Sequence, residues 1–358
     1  MPQPATHYLV TRRAIPREHW GKWWDKYKPY FGLGSSAPDL FYFPLVPNLH
    51  DIRRDIDWES IANPLHSSNS YDMFCSLLNL SKKQKIEGLK ETEKQFAFAV
   101  GYYCHVVTDC IFHPYVYRST GDHWNTVDKI PELQHKKQEL FIDTAIFHYT
   151  NHNISRVQWK CSQGTGDLLD YNIAALFHEA LRINYSESYP LEPDVQRADH
   201  PVQQAYSALA QAIPALFERK VIHLFGAKLT FNAREFLEEM QEHFFVSQFP
   251  HCDTLNKHTP EELFNYSSGA CRKVFLRALG FWESEERDSK AYFSKYPAHY
   301  LNSGNWNLDT GLPCQYNNDS LMRSANEEHY SYLADAINRT IDVLQAEYNP
   351  SDFETTTY

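Results

Sequence analysis

The strongest constraint in this sequence is a helical run that carries three polar side chains on one otherwise apolar face. The run from 104 to 113 reads CHVVTDCIFH, so His105, Asp109 and His113 are spaced four residues apart. At about 100° per residue, side chains four positions apart drift by only about 40° around a helix, and all three project from one stripe. An aspartate inside an apolar helix is costly unless it is paired or binds a metal. The pattern predicts a buried polar or metal-binding cluster.

A second run further along the chain repeats the spacing. His135 and Glu139 are four residues apart, so they share the face of a second helix. Imidazole and carboxylate are the ligands that zinc takes when no thiolate is offered. Three histidines and two carboxylates in one interior are difficult to explain by packing. We therefore favour metal binding over a purely structural polar network.

The apolar pattern along the chain is helical, because spacings of three and four residues dominate and strand-like alternation is scarce. With 358 residues and 42% hydrophobic content, the chain can bury a real core. We predict an all-α, mostly helical single domain over 1–350 around a buried metal site, with a frayed tail at 351–358. Helices are expected at 67–80, 91–113, 133–149, 169–183, 200–225, 231–244, 260–279 and 319–347. Pro114 is expected to end the second of them.

Charge and motif content exclude several classes of function. The net charge of −11 disfavours a non-specific grip on nucleic-acid phosphates and a polybasic membrane anchor. The sequence holds no Walker loop, no dinucleotide-binding glycine motif and no GxSxG elbow, which disfavours nucleoside-triphosphate, hydride and serine-hydrolase chemistry. The seven cysteines form no CxxC pair, which fits reduced thiols better than a disulfide framework.

The opening residues lack the basic and apolar regions of a signal peptide. No stretch reaches the roughly 18 apolar residues of a membrane-spanning helix. We expect a soluble cytoplasmic protein. A dedicated export route leaves no sign that can be read in the sequence, and the oligomeric state cannot be read either.

Longer motifs surround both runs. Residues 101–115 read GYYCHVVTDCIFHPY and residues 135–143 read HKKQELFID. They are similar to the central signature Gly-x-x-x-His-x-x-x-Asp-x-x-x-His-Pro-Tyr, and to the following His-x-x-x-Glu-x-x-Ile-Asp, of the zinc-dependent phospholipase C family. The wider superfamily includes zinc-dependent single-strand nucleases. Four weaker segments resemble the family in the same order: ATHY at 5–8, GSSAPDLFYF at 34–43, PLHS at 64–67 and NWN at 305–307.

Carried over position by position, the resemblance implies a multinuclear site, a trinuclear zinc cluster, while the sequence itself leaves open whether two or three ions bind. One site would consist of Asp39, His66, His105 and Asp109, the second of His113, His135 and Glu139, and the third of His7 with a bridging Asp109. The resemblance also makes Asp39 the catalytic residue, which ligates a metal and takes the proton of the attacking water. Other divalent metals can replace zinc in such a ligand set.

This sequence departs from the family pattern in three ways. The secreted phospholipases present a processed N-terminal tryptophan to the third metal, whereas this chain starts with Met-Pro and carries His7 inside, so the third site is weaker or completed differently. His50 competes with His66 as a ligand, and we prefer His66. The long helical segment at about 150–300 is an insertion that the small enzymes of the family lack, and it can reshape the substrate cleft.

Some further residues are candidates for contacts around the site. Tyr115, His123 and Trp124 follow the first run and are expected to contact substrate, with ordinary loop packing as the alternative. Asp143 continues the second ligand face, where it either orients a ligand histidine or is a surface charge. The aromatic and basic stretch at 17–31 is either a patch for a lipid surface or a helix packed on the core, and we prefer packing.

The sequence therefore predicts a metal-dependent phosphodiester hydrolase similar to phospholipase C, in which a metal-activated water attacks phosphorus. Its partners are expected to be a small phosphodiester or phospholipid and, transiently, a membrane surface, with no specific nucleic acid. The alternatives are a single-strand nuclease of the same superfamily, and a biosynthetic or metal-binding protein with a redirected cluster, because a family fold does not guarantee the family reaction.

Overall fold

The structure, a computed structural model, describes residues 4–45, 55–120, 168–189, 194–215, 259–296, 305–308 and 312–313, together with positions 135, 138, 139, 142, 143, 145, 146, 149 and 150. Almost all regular structure in these residues is helical, which confirms the all-α prediction. The helices are α1 (Pro4–Ala14), α2 (Arg17–His19), α3 (Asp25–Gly34), α4 (Trp58–Ser67), α5 (Ser70–Ile86), α6 (Thr92–Thr120), α7 (Tyr171–Asn184), α8 (Pro201–Ala215), α9 (Pro260–Glu283) and α10 (Ser289–Phe293).

Short irregular elements complete this part of the chain. A π-helical turn, Trp20–Trp24, joins α2 to α3, and a 3₁₀ helix, Leu40–Leu45, follows the turn after α3. The strands β1 (Trp306–Asn307) and β2 (Leu312–Pro313) pair antiparallel. The described positions of the 135–150 segment are all helical. The one-domain boundaries and the insertion at about 150–300 stay predictions.

Helix α6 lies at the centre of the fold. It contacts α1, α3, α5, α7 and α9, and every residue from 95 to 113 is buried. A helix that is apolar on nearly all sides is buried on all sides, as the sequence indicated. The polar stripe of α6 therefore lies inside the protein.

Pro114 was expected to end this helix, and that prediction is wrong, because α6 continues to Thr120. Proline removes one backbone N–H and one helical hydrogen bond. A helix packed on several sides by its neighbours tolerates that loss. The predicted helices at 231–244 and 319–347 and the tail at 351–358 lie outside the described residues.

Side-chain caps fix several helix ends. Thr259 and Glu262 form a capping box at the start of α9, and Pro260 occupies its first position. The side chains of Asp57 and Asp170 cap α4 and α7 by accepting backbone N–H groups. Each cap of this kind contributes about 1 kcal/mol. The sequence therefore specifies these helix starts locally.

Two lysines of α5 hold the carboxyl end of α9. The Lys82 ammonium donates to the carbonyl oxygens of Phe281 and Ser284 at 2.5 and 2.8 Å, and Lys85 donates to that of Trp282 at 2.8 Å. Cations at this end satisfy unpaired carbonyls and interact favourably with the helix dipole. These contacts tie α5 to the carboxyl end of α9.

The aromatic and basic stretch near the start of the chain packs on the core. Trp23 and Trp24 are 1% and 4% exposed, and the Trp23 ring lies 4.6 Å from that of Phe96. Lys22 reaches outward to Glu283 at 3.3 Å. These tryptophans are therefore not available to a lipid surface. Among the described residues, no helix combines the length and apolar content needed to span a bilayer.

Two glycines set the crossing of α3 and α6. A Cβ atom on Gly101 would collide with the carbonyl oxygen of Phe31 and lie 2.9 Å from the Ser35 nitrogen, and one on Gly34 would collide with the Phe98 carbonyl oxygen. Only glycine permits so close a backbone approach. The crossing brings the turn after α3 directly against the polar stripe of α6.

The substitution Gly101→Ala should lower the free energy of unfolding by about 1–3 kcal/mol, the usual cost of forcing an extra methyl group into a packed interior. The measurement is urea unfolding of the metal-free chain. Gly21→Ala is the matched control, because a Cβ there meets nothing within 4 Å. Equal effects of the two substitutions would show that the crossing tolerates a methyl group.

Candidate metal centre

Helix α6 supplies three candidate ligands from one stripe. His105 and Asp109 are fully buried and His113 is 1% exposed, and their spacing places them on consecutive turns. The apolar residues around them exclude water. The stripe is therefore a row of polar groups that must find partners inside the protein.

The first group of side chains gathers around the middle of this row. Asp39, His66, His105 and Asp109 each offer one ligand atom within 4.8 Å of the others. His66 Nε2 lies 2.9 Å from Asp39 Oδ1, and His105 Nε2 lies 3.6 Å from the same oxygen. Asp39 comes from the turn after α3 and His66 from the last turn of α4. Residues distant in sequence thus meet at one point that could hold a metal ion.

The second group lies one turn further along α6. His113, His135 and Glu139 offer ligand atoms within 4.8 Å of one another. His135 Nε2 lies 2.8 Å from Glu139 Oε1. All three side chains are buried. The structure therefore brings together the two runs that the sequence analysis paired.

His7 of α1 meets the first group from the opposite side of Asp109. Its Nε2 lies 3.2 Å from Asp109 Oδ1, whereas His105 Nε2 lies 2.9 Å from Oδ2 of the same carboxylate. The His7 and His105 rings stack at 3.9 Å with an angle of 11° between their planes. Each oxygen of Asp109 thus faces a different imidazole.

Backbone carbonyl oxygens orient three of the histidine rings. The Nδ1 atoms of His66 and His105 lie 3.2 and 2.9 Å from the carbonyl oxygens of Ala62 and Ser35. His113 Nδ1 meets the carbonyl oxygen of Leu308. A metal-binding histidine typically donates its second ring nitrogen in this way, which fixes the tautomer and presents Nε2 to the metal.

The Asn305-Trp306-Asn307 segment, which contains β1, connects α4 and α5 beside the second group. The Asn305 side-chain oxygen accepts hydrogen bonds from the backbone of Tyr71 and Asp72 at 3.0 Å each, and so caps α5. The Leu308 nitrogen donates to the His66 carbonyl oxygen at 2.6 Å. This segment therefore joins α4 and α5 and positions the Leu308 carbonyl group that orients His113.

The atoms at the centre have short contacts but poor hydrogen-bond alignment. His7 Nε2, His105 Nε2 and both oxygens of Asp109 are buried and make no aligned hydrogen bond to any residue that the structure describes. Their N···O separations are nevertheless close to 3 Å. Unsatisfied buried polar atoms are costly, and a cation on which they converge removes that cost. The imidazole and carboxylate donors fit zinc.

The protonation states of the rings suit metal binding, with one exception. Burial lowers the pKa of His113 well below its ordinary value and lowers that of His7, so both rings are neutral, as ligands must be. Burial also lowers the pKa of His105, but the Asp109 and Asp39 carboxylates outweigh it and raise the pKa to about 9. In the metal-free chain, His105 carries a proton at neutral pH.

Asp143 is a buried residue, 3% exposed, so the surface-charge alternative for it is wrong. Its Oδ1 accepts hydrogen bonds from the backbone N–H and the hydroxyl of Thr6 at 2.9 and 2.5 Å. Its partner is thus the residue before His7 rather than the ring of a histidine. Burial raises the pKa of Asp143 to about 8, against the opposing effect of the Thr6 hydrogen bonds.

Sequence reasoning missed some groups around the centre. Gln138 is fully buried one position before Glu139, and neither of its amide atoms has a partner among the described residues. A polar residue on the buried face of a helix was the available signal for Gln138. The carbonyl groups of Ser35 and Leu308 gave no signal, because every residue type carries one.

The three residues expected to contact substrate lie outside the described part of the chain. For Tyr115 this concerns the side chain, and for His123 and Trp124 it concerns the whole residue. His50 is outside it as well, whereas His66 lies in the first group.

Zinc affinity should rise with pH between about 6.5 and 9, by up to about tenfold per pH unit, because zinc must displace the His105 proton. Chelator competition at several pH values measures the affinity, and calorimetry in buffers of different ionisation enthalpy counts the released proton. A pH-independent affinity across this range would contradict the expectation. The stability of the metal-free chain depends on pH in the opposite direction. The raised pKa of His105 contributes folding stability that is complete below the ordinary pKa of 6.5 and is lost as pH rises through about 9.

Comparison with protein-family models agrees with this geometry. The model described as zinc-dependent phospholipase C matches residues 6–187, just over half of the chain. The matched span contains both groups of candidate ligands as well as His7. Searches of the curated proteins and of the solved structures each gave no match. By the extent of the family match, the chain belongs to the zinc-dependent phospholipase C family.

Proposed function

We propose that this protein is a zinc-dependent hydrolase of phosphodiester bonds that acts on a phospholipid or a related small phosphodiester. The observation that carries the proposal is the pair of adjacent buried ligand groups on α6, with the Asp109 carboxylate shared between His7 and His105. Family membership supports the same class of reaction. In this proposal, a membrane surface is a transient partner that supplies the substrate.

We assign the ligands of the metal ions as the sequence predicted. Asp39, His66, His105 and Asp109 would hold one zinc ion, His113, His135 and Glu139 a second, and His7 with Asp109 a third. When bound, neighbouring zinc ions lower the pKa of a water molecule, neutralise phosphoryl oxygens and stabilise the leaving oxygen. The histidine rings and their carbonyl partners keep the ligand atoms in place before substrate arrives.

Asp39 is our candidate for the residue that takes the proton of the attacking water. It is 4% exposed and lies on a turn, beside rather than within the row of ligands on α6. His66 and His105 both approach its Oδ1, so we assign proton acceptance to Oδ2. A positioned carboxylate of this kind contributes about 10²–10⁴-fold to a rate.

Tyr115, His123 and Trp124 remain our proposal for contacts with the substrate. They follow the ligand stripe of α6 in sequence, and aromatic and imidazole side chains suit the amphipathic group of a lipid. The net charge of −11 disfavours a nucleic-acid substrate, because phosphate backbones are held by clustered positive charge.

The decisive experiment combines metal analysis with two substrates. Protein purified without added zinc is analysed for metal per chain, and is then assayed on phosphatidylcholine micelles and on single-stranded DNA. We expect bound zinc and turnover of the lipid. Turnover of DNA alone would identify a nuclease, and bound metal with neither activity would identify a redirected cluster. A chain that purifies and remains metal-free when zinc is supplied would refute the proposal.

Two aspartate variants should separate ligand from proton acceptor. Asp109→Asn should lower zinc content and activity together, because it removes a shared ligand. Asp39→Asn should reduce turnover by about 10²–10⁴-fold with a much smaller change in melting temperature. The measurements are zinc per chain, kcat and thermal melting.

Asp170→Asn is the matched control for these variants. Asp170 is equally buried but caps α7 and contacts Lys94 and Tyr30, away from the ligand groups. Its substitution should cost stability while zinc content stays complete. Full zinc loading of Asp109→Asn, or unfolding of Asp39→Asn with no separate loss of turnover, would contradict the assigned roles.

A further inference from the structure

A buried pair of hydrogen bonds fastens α1 to the 135–150 segment. The Asp143 carboxylate accepts both the backbone N–H and the hydroxyl of Thr6, which is 137 residues away in sequence. Thr6 lies in the first turn of α1, where N–H groups have no partner within their own helix. Asp143 is thus a cap supplied from a distant part of the chain. We refer to Thr6 and Asp143 as the clasp.

The clasp joins the two segments that carry the candidate ligands His7 and Glu139. Thr6 is the residue before His7, whose ring stacks on His105 at 3.9 Å. Asp143 follows Glu139 by four residues, which is about one helical turn. The backbone next to one candidate ligand is therefore held by the helix that carries another.

Packing alone does not require a carboxylate at this place. Helix α1 already contacts α3, α6 and α9. Replacing both partners of a buried hydrogen bond by apolar groups of the same shape can be nearly neutral. The clasp instead fixes the position of α1 along its axis and the rotation of α1 about that axis. Apolar contacts specify both poorly, because they are not directional. That position decides where the His7 ring lies.

We propose that Thr6 and Asp143 are positioning residues that set His7 for the third zinc ion. The inference rests on the proposed function, since it requires an ion shared by His7 and Asp109. Outer partners of metal ligands typically contribute about 10- to 100-fold to metal affinity. Here the effect acts through the backbone of α1 rather than through the ligand ring.

The test compares Thr6→Val, Thr6→Ser and Asp143→Ala in the full chain. Valine removes the hydroxyl donor at nearly constant volume, and serine keeps it. Zinc per chain is measured at graded chelator concentrations, and thermal melting is measured with and without zinc. We expect Thr6→Val and Asp143→Ala to weaken the most weakly held ion by about 10- to 100-fold, and Thr6→Ser to retain it. The double variant should bind zinc no more weakly than Asp143→Ala alone, because Asp143→Ala already removes both hydrogen bonds to Thr6.

Other outcomes overturn the inference in distinguishable ways. If the variants lower the melting temperature equally with and without zinc, or unfold the metal-free chain, while zinc affinity of the folded protein is unchanged, the clasp is purely structural. If the His7→Ala variant binds as many zinc ions as the wild-type chain, both the third site and the positioning role of the clasp are refuted. The proposed function then remains, as a hydrolase with two zinc ions. A wild-type chain that holds no zinc refutes the proposed function itself.

Discussion

The carboxylate of Asp109 is the group on which the rest of this site depends. It is fully buried within an apolar helix, where an uncompensated charge is costly. Its two oxygens face His7 and His105 at 3.2 and 2.9 Å. Compensation therefore comes from α1, which carries His7, and from α6 itself, which carries His105 one turn earlier.

The sequence was sufficient to predict the central helix and both ligand groups on it. A histidine or an acid every four residues inside an apolar run has few physical explanations, so local spacing alone identifies His105, Asp109 and His113 as candidate ligands. Family resemblance added His7, Asp39 and His66, which no local spacing marks. The structure places Asp39 and His66 in the first group, and it places His7 against Asp109.

What the sequence could not show depends on backbone atoms and long-range contacts. The carbonyl groups that orient His66, His105 and His113 belong to no residue type in particular. The Thr6 partner of Asp143 is 137 residues away, so helical spacing could not predict that the two meet. The prediction that Pro114 ends the helix was wrong for a related reason. The local preference of proline is to end a helix, but the tertiary packing of α6 outweighs that preference.

The protonation of His105 offsets part of the negative charge at the candidate centre when no metal is bound. In the metal-free chain the proton on this ring offsets part of the negative charge of Asp109 and Asp39, which is why these carboxylates raise its pKa to about 9. His7 and His113 remain neutral because burial lowers their pKa. A single proton on His105 thus has the electrostatic role that a divalent cation would take over in the proposed zinc-bound protein.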